Sequence, residues 1–155
     1  MGTKLKFNSL LAPVDLAGRS RVIVERALDL LAGDAPSLIL MHVLDPLMVD
    51  FATDHGWGSH DEIVAQMRRH AERDLETYRE LAPAEVEMAT IVSEGVPFLE
   101  ILRKSEDFAV DAIVMGKVER HVGIEKLLFG ATAEKVLRGS LRPVIVLPID
   151  DDATA

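Results

Sequence analysis

Short apolar runs alternate with amphipathic helical segments along the whole chain, and this alternation restricts the fold more than any other feature of the sequence. The apolar runs have the length of β-strands, and three of the four helical segments between them end near a glycine or a proline. Strands that are apolar throughout are typical of a parallel sheet covered by helices on both faces. The expected strands cover residues 9–14, 37–44, 86–92, 111–115 and 143–147, and the expected helices cover 19–32, 60–81, a segment that begins at 95, and 132–138, with a loop at 45–59.

The order of the strands follows from the handedness of their connections. Right-handed crossovers between parallel strands produce a doubly wound sheet, and the flavodoxin-like order 3-2-1-4-5 is common among sheets of this kind. We therefore predict an α/β fold with a single doubly wound, five-stranded, mostly parallel sheet. Residues 1–150 are expected to form one domain, followed by a disordered tail at 151–155.

Composition excludes several classes of function. The 155 residues include no cysteine, which rules out disulfides, cysteine-ligated zinc and a thiol nucleophile. A net charge of -9 argues against a nucleic-acid partner, because the phosphate backbone would repel the protein. The start of the chain has no apolar segment of signal-peptide length, and the apolar runs are too short to cross a membrane. We therefore expect a cytoplasmic protein with no membrane partner.

Polar residues follow the first two predicted strands, where a ligand would bind. Pro13 and Asp15 lie at the end of strand one, and His42, Val43 and Asp45 lie at the end of strand two. Ligands of doubly wound sheets bind beyond the carboxyl ends of the strands, where the strand order reverses, and here the reversal is beside strand one. A lone histidine such as His42 is more typical of a buried strand residue bonded to a neighbour than of a ligand contact.

A glycine-bearing segment follows the fourth strand and precedes the last helix. It runs from Gly116 through Gly123 to Gly130 and contains the basic residues Lys117 and Arg120. Loops of this kind bind phosphate through free backbone N–H groups, and the dipole of the following helix strengthens the binding. The segment therefore predicts a phosphate site. Lys117 and Arg120 either assist this site or are surface charges with no phosphate nearby.

Several short motifs, in their order and spacing, resemble the universal stress protein family over almost the whole chain. They are Leu11-Ala-Pro-Val-Asp15 with Ser20, His42-Val-Leu-Asp45, Gly95-Val-Pro97 with Ile101, Val114-Met-Gly116, Gly123 to Gly130, Ala133-Glu134 and Pro143-Val-Ile-Val146. The resemblance implies an adenine nucleotide alpha hydrolase-like fold and a non-enzymatic stress-response module that binds ATP or another adenine nucleotide. Mg²⁺ would bind only together with the nucleotide.

The resemblance also implies roles for individual positions. Asp15 would accept hydrogen bonds from the ribose or the adenine, and Val43 would offer backbone groups to the adenine edge. Gly116 would let the nucleotide approach the backbone, and Gly130 would present amides to phosphate. The expected nucleotide-binding residues are Pro13, Val14, Asp15, Val43, Met115, Gly116, Lys117, Arg120, Gly123, Gly130, Ala131 and Thr132.

The glycine segment departs from the family pattern at two positions, which leaves a second interpretation open. Glu119 stands where the middle glycine is expected, and Ala131 stands where the family has serine or threonine. The alternative is a dimeric interaction or signalling protein that has lost nucleotide binding. An enzyme ranks lowest, since no nucleophile–base pair, metal motif or Walker lysine occurs in the sequence, although slow ATP hydrolysis stays open.

The last predicted strand has the features of a sheet edge. Pro143 begins it, and a proline at a strand start suits an edge. An apolar edge tends to pair with another strand, and two copies related by a two-fold axis would protect both edges. We therefore expect a homodimer, as the resemblance also implies, and the alternative is an edge covered by the tail. The expected dimer contacts are Val144, Ile145, Val146 and Leu147.

The predicted loop at 45–59 and the residues just after it carry weak signals only. The pairs Asp54-His55 and His60-Asp61 have metal-capable atoms, but their spacing fits no specific site, so we interpret them as solvated. Trp57, the only tryptophan, either covers a pocket or anchors the loop or a partner.

Overall fold

The protein is a five-stranded sheet with helices on both faces, and all of its strand pairings are parallel. The computed structural model describes residues 6–16, 18–119 and 130–150. The strand order is 3-2-1-4-5, which confirms the predicted fold class. The predicted tail at 151–155 lies outside the described residues, as do Arg120 and Gly123.

The elements follow one another in the predicted alternation, with one additional helix after the second strand. The strands are β1 Ser9–Pro13, β2 Ser37–Leu44, β3 Glu87–Glu94, β4 Ala112–Glu119 and β5 Val144–Asp150, and the helices are α1 Ser20–Asp29, α2 Pro46–Asp54, α3 His60–Glu76, α4 Pro97–Asp107 and α5 Ala131–Gly139. A short 3₁₀ helix at Thr77–Leu81 continues α3, so the predicted helix 60–81 is regular α-helix only as far as Glu76.

Alternate residues of the central strands pack on opposite faces of the sheet. On one face, Leu10 of β1 packs in a cluster with Val24 of α1 and Leu75 of α3. On the other face, Leu11 packs with Ile101 of α4 and with residues of α5. Because both faces are buried, β1 and β2 read as continuous apolar runs rather than as alternating ones.

The helix α2 lies where the sequence predicted a loop, so that part of the 45–59 prediction was wrong. Asp45 caps the helix, since its side chain accepts a hydrogen bond from the Leu47 N–H at 2.9 Å, and Pro46 occupies the first helical position. Val49 and Ala52 are buried against Ile63 of α3. The other face of α2 is also partly apolar, so the sequence lacks the 3.6-residue apolar period by which an amphipathic helix is recognised.

The strand β4 is longer than predicted, and this changes the interpretation of Gly116. The predicted strand ended at Met115, but residues 116–119 continue it and pair with residues 147–150 of β5. Gly116 therefore lies inside a strand rather than at the start of a loop. A Cβ atom at this position would lie 2.7 Å from Ile23 Cδ1 of α1, so the glycine lets α1 pack closely on the sheet.

The predicted neighbourhood of the first and fourth strands is confirmed. Leu10 and Leu11 pair with Ala112 and Ile113, and no strand intervenes between β1 and β4. The strand order reverses at this point, so their carboxyl ends border the crevice where such folds bind ligands. No helix among the described residues is both long and apolar enough to cross a membrane.

Candidate functional site

A cavity of about 830 Å³ opens at the carboxyl ends of β1, β2 and β4. The starts of α4 and α5 and the side of α3 complete its walls. Its lining residues are Pro13, Val14, Asp15, Ile23, Met41, His42, Val43, Leu44, Asp45, Met48, Met67, Pro97, Ile101, Met115, Gly116, Lys117, Gly130, Thr132 and Ala133. This volume lies in the range of sites that hold cofactors and drug-sized ligands.

The wall formed by the ends of β1 and β2 is tied together by hydrogen bonds. The Val14 N–H donates to the Met41 carbonyl at 2.8 Å, which continues the strand pairing past the end of β1. The Ser20 hydroxyl, buried at the start of α1, donates to Asp15 Oδ1 at 3.4 Å. These bonds hold the exposed Asp15 carboxylate at the mouth of the cavity, where it can accept hydrogen bonds from a ligand.

The hydrogen bond of His42 determines which ring nitrogen carries the proton. His42 Nδ1 lies 2.8 Å from the Val14 carbonyl oxygen, and a carbonyl only accepts, so Nδ1 must donate. In the neutral ring, Nε2 is then an acceptor. The prediction of a strand histidine bonded to a neighbour therefore fits this contact, but the ring also lines the cavity.

The wall formed by β4 and α5 has a different chemistry. Gly116 and Lys117 come from β4, and Gly130 immediately precedes α5 without capping it through a side chain. The first hydrogen bond of α5 runs from the Glu134 N–H to the Gly130 carbonyl, at 3.0 Å. The amides of residues 131–133 therefore lie outside the helical ladder, and an anion is favourable in front of them.

Most of the predicted nucleotide-binding residues lie on this one cavity. Those that line it are Pro13, Val14, Asp15, Val43, Met115, Gly116, Lys117, Gly130 and Thr132. Ala131 is the first residue of α5 and does not line the cavity. The side chain of Thr132 does so instead, one position later. Arg120 and Gly123 lie outside the described residues, so the structure does not place them.

The site also contains apolar side chains that the sequence did not single out for it. Four methionines line the cavity. Met115 was predicted, and the other three are Met41 of β2, Met48 of α2 and Met67 of α3. Methionine side chains are flexible and polarizable, and they adapt to flat apolar surfaces such as aromatic rings. Met67 belongs to the predicted apolar face of the long helix, but nothing in its spacing distinguishes a cavity position from a core position.

A second cavity of about 450 Å³ adjoins the first on the α3 side of the sheet. It shares Asp15, His42, Leu44 and Met67 with the larger cavity. Its further lining residues include Leu16, Gln66 and the pair His70 and Asp74, whose side chains lie 3.4 Å apart. Leu16 has a φ of 64°, a left-handed conformation that is uncommon for leucine.

The described residues offer no preformed metal site. Among them, no three histidine, aspartate or glutamate side chains are grouped closely enough to hold a metal ion. The four residues of the predicted solvated pairs, Asp54-His55 and His60-Asp61, are exposed. His55 contacts Phe51, with ring centroids 4.0 Å apart.

Comparison with known proteins places this architecture in a family. Residues 6–148 match the universal stress protein family. Universal stress protein MJ0577 of Methanocaldococcus jannaschii is 23% identical over 154 residues, covering 91% of this chain and 94% of its own length. The solved structure of MJ0577 superimposes with a TM-score of 0.77 at 22% identity, covering 97% of this chain and all of that one (100%).

Two other similar structures were solved with nucleotides. A universal stress protein in complex with cAMP has a TM-score of 0.57 at 18% identity, covering 92% of this chain and 98% of that one. The universal stress protein of Archaeoglobus fulgidus in complex with dAMP has a TM-score of 0.56 at 19% identity, covering 92% of this chain and 98% of that one. With a family match that spans nearly all of its described fold, this chain belongs to the universal stress protein family.

Proposed function

We propose that this protein is a non-enzymatic stress-response module that binds an adenine nucleotide at the ends of β1 and β4. One observation carries the proposal: a single cavity has hydrogen-bond acceptors on one wall and the open amino end of a helix on the other. A nucleotide has the matching asymmetry, with a donor-bearing base and ribose at one end and anionic phosphates at the other. The complexes of similar proteins with cAMP and dAMP support this assignment.

The β1–β2 wall suits the base and the ribose. The Asp15 carboxylate and the His42 Nε2 atom accept hydrogen bonds from amino or hydroxyl groups. The backbone of Val43 is available to the edge of the base, because the pairing of β1 with β2 ends at Pro13 and Met41 and β2 continues past it. The methionines of the cavity would pack against the purine ring.

The β4–α5 wall suits the phosphates. The amides at the start of α5 offer donors, and Gly130 has no side chain between them and the cavity. The Lys117 side chain and the Thr132 hydroxyl add a cation and a donor on the same wall. Mg²⁺ would enter only as a partner of the phosphates, since the described residues group no carboxylates that would hold it alone.

Isothermal titration calorimetry with ATP, ADP and AMP tests this proposal. We expect saturable heat with one nucleotide bound per chain, together with a rise in melting temperature. Absence of heat and of any thermal shift at millimolar nucleotide would overturn the proposed binding. ATP turnover measured on the same sample separates a binding module, with slow hydrolysis at most, from an enzyme.

A second candidate function is a signalling or interaction protein that has lost nucleotide binding. The extension of β4 favours it, because residues 117–119 pair with β5 where a phosphate-binding loop was predicted. Mass spectrometry of protein purified without added nucleotide separates the two candidates. Stoichiometric adenine nucleotide in the native sample would reject this second function.

We also propose that the protein is a homodimer formed through β5, because the two edges of the sheet differ. At the β3 edge, Arg68 donates to the Val92 carbonyl at 2.8 Å and Arg79 donates to the Met88 carbonyl, so side chains occupy backbone acceptors. The residues at the start of β5 are half-buried, and in the described part of the chain β5 pairs with β4 alone. An open edge of this kind tends to pair with a second strand.

Light scattering coupled to size exclusion tests the dimer. We expect twice the chain mass for the wild type and a shift toward the monomer for Val146→Asp. The two-fold axis would bring one introduced carboxylate from each copy into the same interface, where they would repel each other. A wild type that runs as a monomer, or a variant that keeps the dimer mass, would contradict the proposal.

A further inference from the structure

An exposed apolar ridge runs along α2 and the turn after it. We define the α2 ridge as Leu47, Phe51 and Trp57, whose exposed fractions are 76%, 50% and 68%. Met48, which is 60% exposed, lies between this ridge and the cavity that it also lines. The three ridge residues lie within eleven consecutive positions of the sequence, and Leu47 and Phe51 are one helical turn apart. Contiguous exposed apolar surface of this kind often marks an interaction site.

The ridge is held in a defined shape. The opposite side of α2 is anchored by Val49 and Ala52, which are buried against α3. On the exposed side, the rings of Phe51 and Trp57 meet edge to face, with centroids 5.7 Å apart and planes at 80°. The His55 ring lies against Phe51, with centroids 4.0 Å apart. Such preorganised aromatic side chains lose little conformational freedom when a partner covers them.

The segment of the chain that carries the ridge is acidic, and the first basic residues after it are Arg68 and Arg69 of α3. Residues 45–67 contain five aspartates and glutamates and no lysine or arginine. Asp50 and Asp54 lie on α2 itself and are exposed beside the apolar side chains. An apolar surface bordered by acidic residues is complementary to a partner whose apolar surface is bordered by basic residues.

We infer that the α2 ridge is a docking surface for a basic amphipathic helix of another protein. The apolar face of that helix would cover Leu47, Phe51 and Trp57, and its lysines and arginines would lie against Asp50 and Asp54. A second copy of this chain would bring the same acidic border and be repelled, and so would an anionic membrane surface. Helix-on-apolar-surface recognition of this kind is a recurrent mode of peptide binding.

The intrinsic fluorescence of the protein reports on this surface directly, because Trp57 is its only tryptophan. The probe is a synthetic amphipathic helical peptide of leucine and lysine, titrated into the full-length protein. We expect a saturable blue shift of the Trp57 emission as the ring is buried. The matched peptide of leucine and glutamate should produce no shift.

Variants assign the binding to the ridge. Leu47→Ser combined with Phe51→Ser should weaken peptide binding by about tenfold or more, since anchors of an interface dominate its affinity. Asp50→Asn combined with Asp54→Asn should weaken it several-fold and reduce its dependence on salt. Leu141→Ser is the control, because Leu141 is 85% exposed at the opposite end of the sheet, and it should bind as the wild type does. Circular dichroism of each variant verifies the fold.

Several results would overturn the inference. They are the absence of any blue shift with the leucine–lysine peptide, equal binding by both peptides, or equal binding by the ridge variants and Leu141→Ser. A blue shift that depends on protein concentration alone would assign the ridge to a second copy. A shift produced by anionic phospholipid vesicles but not by the peptide would assign it to a membrane surface.

Discussion

The two walls of the cavity differ in how the sequence determines them. The β1–β2 wall consists of side chains whose positions are set by hydrogen bonds between neighbouring strand ends, such as that of His42 to the Val14 carbonyl. The β4–α5 wall consists largely of backbone, with Gly116 inside a strand and Gly130 in front of a helix. Side chains select a ligand by the positions of its hydrogen-bond donors. Backbone amides at a helix start select an anionic ligand, and they do so whichever side chains the helix carries. Ligand binding should therefore separate into two contributions that respond to different mutations.

The largest expected effect comes from Gly130→Asp, which should abolish ATP binding and leave adenosine binding nearly unchanged. The introduced carboxylate would cap α5, occupy the amides proposed for phosphate and repel the remaining charge. We expect at least about a hundredfold loss of ATP affinity, or roughly 2.7 kcal/mol. Calorimetry with both ligands measures it.

The control for this variant is Gly130→Ala. Among the residues that the structure describes, none has an atom within 4 Å of a Cβ added at residue 130, and the residue has a φ of -59° that alanine adopts without strain. Alanine should therefore keep ATP affinity within a few-fold. If Gly130→Asp binds ATP as well as the alanine variant does, the phosphates do not lie at the start of α5.

Asp15→Ala should have the next largest effect, and it should weaken ATP and adenosine by the same factor. Removal of a charged hydrogen-bond acceptor costs about 1.5–3 kcal/mol. Equal losses for the two ligands would show that the β1–β2 wall contacts the nucleoside. A loss confined to ATP would reverse the assignment of the two walls. Asp29→Ala, at the far end of α1, serves as the control for general charge effects.

Gly116→Ala should lower the stability of the protein, because the new methyl group overlaps the side chain of Ile23. The added Cβ would lie 2.7 Å from Ile23 Cδ1 and 3.3 Å from Ile149 Cγ1. Overpacking of this kind costs about 1–3 kcal/mol, which thermal or urea denaturation measures. Adding Ile23→Val to this variant removes the Cδ1 atom and should recover most of the lost stability. If the single variant is as stable as the wild type, close packing does not require the glycine.

Lys117→Ala should have the smallest effect, a few-fold loss of ATP affinity that shrinks as salt is added. Partly exposed charges contribute about 1 kcal/mol or less and are screened by ions. The loss should be smaller for AMP, which carries less charge, and absent for adenosine. An equal loss for adenosine would indicate that Lys117 supports the fold of β4 rather than a phosphate.

The fold and the β1–β2 wall could be predicted from the sequence because both depend on local signals. Apolar runs such as 37–44 mark buried strands, and the turn after Pro13 marks the carboxyl end of β1, so the positions of Asp15 and Val43 follow from topology alone. The helix α2 escaped prediction, since its start signal, Asp45-Pro46, precedes a segment that is apolar on more than one side.

The β4–α5 wall could not be predicted to the same extent, because the role of a glycine depends on residues that are distant in the sequence. Glycine near a predicted loop is consistent with phosphate binding, with a tight turn or with close packing of a helix on a strand. Gly116 has the last of these roles, because it allows Ile23 of α1 to pack closely on β4. This contact could not be predicted, since Ile23 is far from Gly116 in the sequence. The continuation of β4 past Met115 likewise depends on its pairing with β5, a long-range contact.

A crystal structure of the protein in complex with ATP tests the proposed site most directly. We expect one nucleotide in the cavity, with its base beside Asp15 and Val43 and its phosphates against the amides at the start of α5. An empty cavity in crystals grown with saturating ATP, or a nucleotide bound elsewhere on the chain, would contradict the assignment of this cavity as the nucleotide site.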